Sequence, residues 1–122
     1  MSTSRLLVYG TLKRGYSRHR YLRGQRFLGV AWTVPGYRLY DGGSYPALVR
    51  DQLDGVVEGE LWEVDKRCLE ILDQVEGAPD LYERAMIELD VPAGATVETY
   101  LYRQSVAGWE DIGSAWPAKS ID

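Results

Sequence analysis

Arg5-Leu6-Leu7-Val8-Tyr9-Gly10-Thr11-Leu12-Lys13-Arg14-Gly15 opens as an apolar run and ends as a glycine-bounded loop. Leu6, Leu7, Val8 and Tyr9, with a β-branched residue and an aromatic among them, predict a short buried strand. Gly10 breaks the run into a small-residue turn carrying one hydroxyl, Thr11, and Gly15 closes it. A glycine at such a break lets the backbone turn sharply and lets a ligand approach the main chain. Successive N–H groups in such a turn form a concave nest for anions. The stretch fits a loop that grips a carboxylate, a phosphate or a developing oxyanion. It also fits a first strand leaving a sheet through an ordinary turn. It is not a nucleotide loop, because neither Gly-x-x-x-x-Gly-Lys-Ser/Thr nor Gly-x-Gly-x-x-Gly occurs in it.

Beyond this loop, Ser17 to Leu22 predicts a short helical turn capped by Ser17. Phe27 to Val34 is rich in strand formers and stops at Pro35-Gly36, and Tyr37 to Tyr40 is a brief strand closed by Asp41-Gly42-Gly43. Ser44 to Val49 is extended, with Pro46 assigning it to an edge or a bulge. Val56 to Trp62 reads as the central strand, and Gly59 inside it signals a bulge or a close backbone approach. Asp65 caps a helix over Lys66 to Val75, whose Leu69, Leu72 and Val75 recur at helical spacing, and Gly77 and Pro79 stop it. Tyr82 to Val91 and Thr96 to Arg103 form a hairpin around Pro92-Ala93-Gly94-Ala95. The tail from Ser105 reads as irregular, anchored by Trp109 and Trp116. About six strands and one clear helix, without regular βαβ alternation, predict an α+β protein with a strongly bent or barrel-like sheet. The whole of 1–122 reads as one domain.

Composition narrows the class. The chain has 122 residues, 45% of them hydrophobic and 26% charged, which suits a folded domain with one core. Nine Tyr and four Trp against one Phe favour half-buried sheets and wet pocket walls. A net charge of −4 gives no general attraction to nucleic acid or to an anionic membrane. The basic run from Lys13 to Arg26 is the local exception. The single cysteine permits no intramolecular disulfide and, with no apolar span or signal core, predicts a cytoplasmic protein.

Candidate chemistry reduces to carboxylates. One His and one Cys are too few for a nitrogen- or sulfur-rich zinc site; an oxygen-ligated magnesium site stays open, but no acidic spacing calls for one, and no metal or cofactor is expected. Cys68 sits at a helix position that reads as core, a structural thiol rather than a nucleophile. Glu76 stands at the end of the helix in Leu72-Asp73-Gln74-Val75-Glu76-Gly77. There the negative end of the helix dipole raises a carboxyl pKa and suits it to moving protons. A solvated acid at a polar helix terminus is the plainer reading of the same residue. Glu58 and Glu60, alternating on a strand, carry less weight.

Three segments taken together resemble the gamma-glutamylcyclotransferase family, in its AIG2-like branch that includes gamma-glutamylamine cyclotransferases. They are Val8-Tyr9-Gly10-Thr11-Leu12-Lys13, Gly55-Val56-Val57-Glu58-Gly59-Glu60-Leu61-Trp62, and Leu72 to Gly77 with Tyr82-Glu83-Arg84. Tyr45-Pro46-Ala47-Leu48 and Trp116 fit the same pattern. The resemblance implies a small mixed barrel with a cavity and a small gamma-glutamyl molecule as substrate. It implies that Tyr9, Gly10, Thr11 and Leu12 bind the glutamyl part and that Glu76 is catalytic. It puts Tyr82 and Tyr102 among the pocket residues. The implied reaction closes the substrate's own amine onto its γ-carbonyl, giving 5-oxoproline and a free amine with no enzyme nucleophile. Where several relatives carry a Gln-Pro-Asn-like sequence, this chain has Tyr16-Ser17-Arg18-His19, on the leaving-group side of the pocket. Two other readings stay open: a non-catalytic module binding a small carboxylate on the same fold, and a hydrolase in which Glu76 activates water.

Overall fold

The computed structural model describes residues 2–52 and 54–117. Among them eight strands and one α-helix follow in the order β1 (Thr3–Val8), β2 (Arg26–Thr33), β3 (Tyr37–Asp41), β4 (Pro46–Arg50), β5 (Glu58–Asp65), α1 (Lys66–Val75), β6 (Tyr82–Val91), β7 (Thr96–Tyr102) and β8 (Glu110–Gly113). A single 3₁₀ turn at His19–Leu22 lies between β1 and β2. Five strands close into a barrel in the order β1-β5-β2-β6-β7, and β4-β3-β8 form a separate three-stranded sheet. All pairings in the barrel are antiparallel except the closing seam. There β1 runs parallel to β7, with Leu6 opposite Glu98.

The closed ring explains the unbroken apolar run of β1. Leu7 faces one core, with Leu61, Val97 and Leu101, while Leu6 and Val8 face another, with Trp62, Leu72 and Tyr100. A strand buried on both faces has no polar face to alternate with. Gly59 is the residue that lets β5 lie against β1: a Cβ there would stand 2.6 Å from the Val8 carbonyl oxygen.

The helix is legible at both ends. Asp65 accepts the Cys68 N–H at 2.7 Å, the expected side-chain cap. Leu69 and Leu72 are buried against the barrel, and the Cys68 thiol, also buried, donates to the Tyr21 carbonyl at 3.4 Å. Burial pushes that thiol up to about 11, which keeps it protonated and unreactive. Leu72→Ala is expected to cost about 2–5 kcal/mol, as for a fully buried leucine whose cavity does not collapse. Urea denaturation checks this, and a loss below about 1 kcal/mol would contradict the packing described for this helix.

Three local expectations change. The 3₁₀ turn has Arg18, not Ser17, at its N-cap and no side-chain cap bond, because the backbone there is held by the loop before it. The central strand starts at Glu58: Val57 is drawn out of the ladder by Thr33, whose Oγ1 accepts its N–H at 2.9 Å. The tail is not wholly irregular, since Glu110–Gly113 pairs with β3 as β8. That short acidic segment is secured by Asp111, which takes the Arg38 guanidinium at 2.7 Å. With the extended Ser44–Val49 segment pairing as β4 and the tail contributing β8, the strand count among the described residues is eight, above the expected six or so. The last part of the expected tail, 118–122, lies outside the described residues. Pro46 opens β4, an edge strand, as its missing N–H requires.

Candidate active site

The loop that follows β1 is tied down by its carbonyls. Gly10 O accepts from Lys13 N at 3.0 Å, Thr11 O from Arg18 N at 2.9 Å, and Leu12 O meets His19 Nδ1 at 3.0 Å. By contrast, the N–H groups of Gly10, Thr11 and Leu12 donate to no described residue. The loop thus shows unspent backbone donors beside spent acceptors, the polarity an anion nest needs. Glu60 braces its far end. This buried carboxylate accepts the Arg14 N–H and the Arg14 Nε, each at 3.1 Å, and the Trp62 indole N–H at 3.2 Å.

Helix α1 brings the carboxylate to this loop. The N–H of Glu76 bonds to Leu72 O at 2.9 Å, so Glu76 is the C-cap, and Gly77 then takes the left-handed conformation at φ +68°. The chain reverses, and Tyr82 begins β6 beside Glu76. Leu7 to Leu12, Pro46, Glu76, Tyr82 and Tyr100 together line a small cavity of about 20 Å³ that opens to solvent. A second cavity of about 90 Å³ adjoins it, lined by Arg18, Tyr45, Val75, Glu76, Leu81 and Tyr82. Glu76 and Tyr82 belong to both, and so form the partition between an inner and an outer chamber.

Glu76 is the electrostatically unusual group. Its side chain is only 12% exposed and accepts no hydrogen bond from the described residues, and its nearest cation is Arg18, with Nη1 3.7 Å from Oε2. Burial raises its pKa from 4.5 to about 7, and Arg18 opposes that rise only in part. The principal cause is desolvation rather than the helix dipole. The plain reading of a solvated acid is therefore replaced by a buried one. A carboxyl that titrates near neutrality is equipped both to take and to give a proton.

The phenols around it are held rather than free. Tyr9 donates to the Tyr100 carbonyl, Tyr82 to the Pro46 carbonyl at 2.7 Å, and Tyr100 to Asp73 Oδ1 at 2.7 Å. Burial pushes all three phenols upward, so they stay protonated. Tyr9, Gly10, Thr11, Leu12, Glu76 and Tyr82 thus share one cavity. Tyr102 does not line it. Its ring packs edge-on against Tyr82 at 5.2 Å and tilted against Trp109 at 5.1 Å, one layer back. Tyr100 holds the wall position instead, and Arg18 is brought to the site without having been singled out. The hairpin parity offers Tyr100 and Tyr102 alike, and the register sets Tyr102 opposite Tyr82 and Tyr100 opposite Arg84.

Comparison with known proteins decides the family. Residues 6–117 match the family described as Gamma-glutamyl cyclotransferase, AIG2-like. The chain belongs to this family. A relative from Vibrio cholerae is 42% identical over 100 residues, covering 82% of this chain and 83% of its own. The human gamma-glutamylaminecyclotransferase is 33% identical over 119 residues, covering 82% of this chain and 78% of its own. Among solved structures, an AIG2-like protein from Mus musculus superposes with a TM-score of 0.76 at 27% identity, over 89% of this chain and 83% of that one. In this gamma-glutamylcyclotransferase-like chain no helix among the described residues is long and apolar enough to cross a membrane.

Proposed function

We propose that this chain is a gamma-glutamyl cyclotransferase that converts a gamma-glutamyl amine or amino acid to 5-oxoproline and a free amine. One observation carries the reading: a buried carboxyl poised near neutrality, Glu76, shares a small cavity with the unspent N–H groups of the Gly10–Leu12 loop. The glutamyl part occupies the inner chamber, held by Tyr9, Gly10, Thr11 and Leu12, with Tyr82 and Tyr100 as its walls and Tyr102 backing Tyr82.

The steps follow from proton balance. Ionised Glu76 takes one proton from the substrate's α-ammonium. The freed amine attacks the γ-carbonyl carbon, the C=O electrons move to oxygen, and a five-membered ring closes. As the carbonyl reforms, the bond to the leaving nitrogen breaks while Glu76 returns its proton to that nitrogen. The ring nitrogen then sheds its surplus proton through Glu76 to the departing amine, leaving a neutral lactam and an ammonium ion. The nucleophile belongs to the substrate. Holding the substrate folded back and supplying donors to the developing oxyanion are the protein's main contributions.

The test is product analysis after incubation with a panel of gamma-glutamyl amino acids and amines. Release of 5-oxoproline with stoichiometric amine is expected. Free glutamate in its place would make the protein a hydrolase, and no turnover across the panel would favour a binding module.

A further inference from the structure

The outer chamber carries information about the leaving group. Resting on the cyclotransferase reading, the geometry points to Arg18 as the residue that selects leaving amines bearing a carboxylate next to the scissile nitrogen, so that gamma-glutamyl α-amino acids are preferred over their uncharged counterparts. The argument starts from the partition. With the glutamyl part in the inner chamber and its amide at Glu76, the space that adjoins Glu76 and Tyr82 is the one that receives the departing amine. That space is walled by Arg18, Tyr45, Val75 and Leu81. Arg18 is its one cation.

Arg18 is also underused. Its side chain is 41% exposed, and its one side-chain ion pair among the described residues is the 3.7 Å approach to Glu76, longer than a hydrogen bond. Its backbone is nevertheless fixed, because Arg18 N donates to the Thr11 carbonyl of the substrate loop at 2.9 Å. The residue therefore combines an anchored main chain with a fork of free donors, which suits bidentate capture of a carboxylate.

The spacing agrees. In an α-amino acid the nitrogen and the carboxylate carbon are about 2.5 Å apart. A nitrogen at Glu76 then puts its carboxylate within the reach set by the 3.7 Å separation of Glu76 and Arg18. A simple amine has no group to meet Arg18. An amine linked through the far end of a long side chain carries its carboxylate well beyond that reach.

The experiment compares gamma-glutamylalanine with gamma-glutamylalaninamide, which differ only in the charge of the leaving group. The ratio of their kcat/KM values is read in wild type, Arg18→Gln and Arg18→Lys. Removing Arg18 also alters the environment of Glu76, but that change acts on both substrates and cancels in the ratio. Wild type is expected to favour the acid by at least about tenfold. Arg18→Gln should lower the ratio by about 10- to 100-fold, mainly through KM of the acid, and Arg18→Lys should recover part of it. An equal loss on both substrates would reduce Arg18 to a general support of the site and overturn the inference alone. Wild-type preference for the amide would do the same. Absence of 5-oxoproline from both substrates with the wild-type protein would overturn the cyclotransferase reading, and this inference with it.

Discussion

Glu76→Gln should lower the rate of 5-oxoproline release by about 10²- to 10⁴-fold, the range general acid–base catalysis supplies. The amide keeps the shape and burial of the side chain but can neither accept the ammonium proton nor return it. Because the wild-type carboxyl titrates at about 7, kcat/KM should rise through neutral pH as Glu76 ionises. That rise should be missing from whatever activity the variant retains. A variant releasing 5-oxoproline at the wild-type rate would remove Glu76 from the mechanism.

The same substitution should make the protein more stable, and the sign can be derived. Burial raises the folded-state pKa from 4.5 to about 7, so the folded protein holds this proton more tightly than the unfolded chain does. Above pH 7 both states are ionised, and the folded state bears the full cost of a desolvated charge. Below about pH 4.5 both are protonated, and the cost disappears. Between 4.5 and 7 the displacement corresponds to about 3 kcal/mol at about 1.36 kcal/mol per pKa unit. Glu76→Gln should therefore be about 1–3 kcal/mol more stable than wild type at pH 8, and the gain should vanish by pH 4. Thermal or urea unfolding at the two pH values checks it. A variant less stable at pH 8 would mean that the carboxylate is well solvated or well paired, contrary to its surroundings. Such a group, costly to fold around and retained, is what a stability–function compromise looks like.

How much of this was legible in the sequence depended on whether the cause was local. The bounds of α1 could be read because Asp65 caps it, Leu69 and Leu72 repeat at its period, and Gly77 ends it. The hairpin of β6 and β7 follows from two alternating runs and a proline-glycine turn. From the residues alone the barrel was visible as a strongly bent or barrel-like sheet, and the resemblance implied a small mixed barrel. The seam itself, β1 parallel to β7 through Leu6 and Glu98, joins strands from opposite ends of the chain and leaves no mark in either. The short β8 was missed because four residues, two of them acidic, have no strand signature without Arg38 and β3 beside them. The candidate site divides in the same way. The Tyr9–Leu12 loop declares itself by its glycine and its apolar lead-in, and Glu76 by its position at the helix end. The burial of Glu76 was not legible, because the Leu7–Leu12 loop packed over it comes from the other end of the chain, and Tyr82 returns onto it only through the turn after Gly77. Arg18 entered only as one of the four residues Tyr16–His19 that the resemblance puts on the leaving-group side: within a run of six basic residues from Lys13 to Arg26, nothing local separates the one facing the cavity from those facing solvent.

Gly10→Ala should abolish most activity while leaving the protein folded. The glycine is not required by its torsion angles, since Gly10 is not among the residues with positive φ. It is required by contact. A Cβ at this position would stand 2.7 Å from both Cγ and Cδ of Pro46, closer than atoms in proteins pack. The proline ring cannot swing away as a flexible side chain would, because Pro46 opens β4 and its carbonyl accepts the Tyr82 hydroxyl at 2.7 Å. The loop must therefore move away from β4, and the N–H groups of Gly10, Thr11 and Leu12 move with it. Overpacking of this kind costs about 1–3 kcal/mol, less than the stability of an ordinary domain. A displacement of about 1 Å in groups that position a substrate is enough to cost on the order of 10²-fold in rate. The expected result is a folded variant, by circular dichroism and cooperative unfolding, whose kcat/KM for any accepted gamma-glutamyl substrate falls about 100-fold. A shift of about 1 Å leaves Glu76 buried, so the pH profile should still rise near pH 7. A folded Gly10→Ala protein with full activity would show that the loop does not hold the glutamyl group. The anion nest would then have to be sought elsewhere in the cavity.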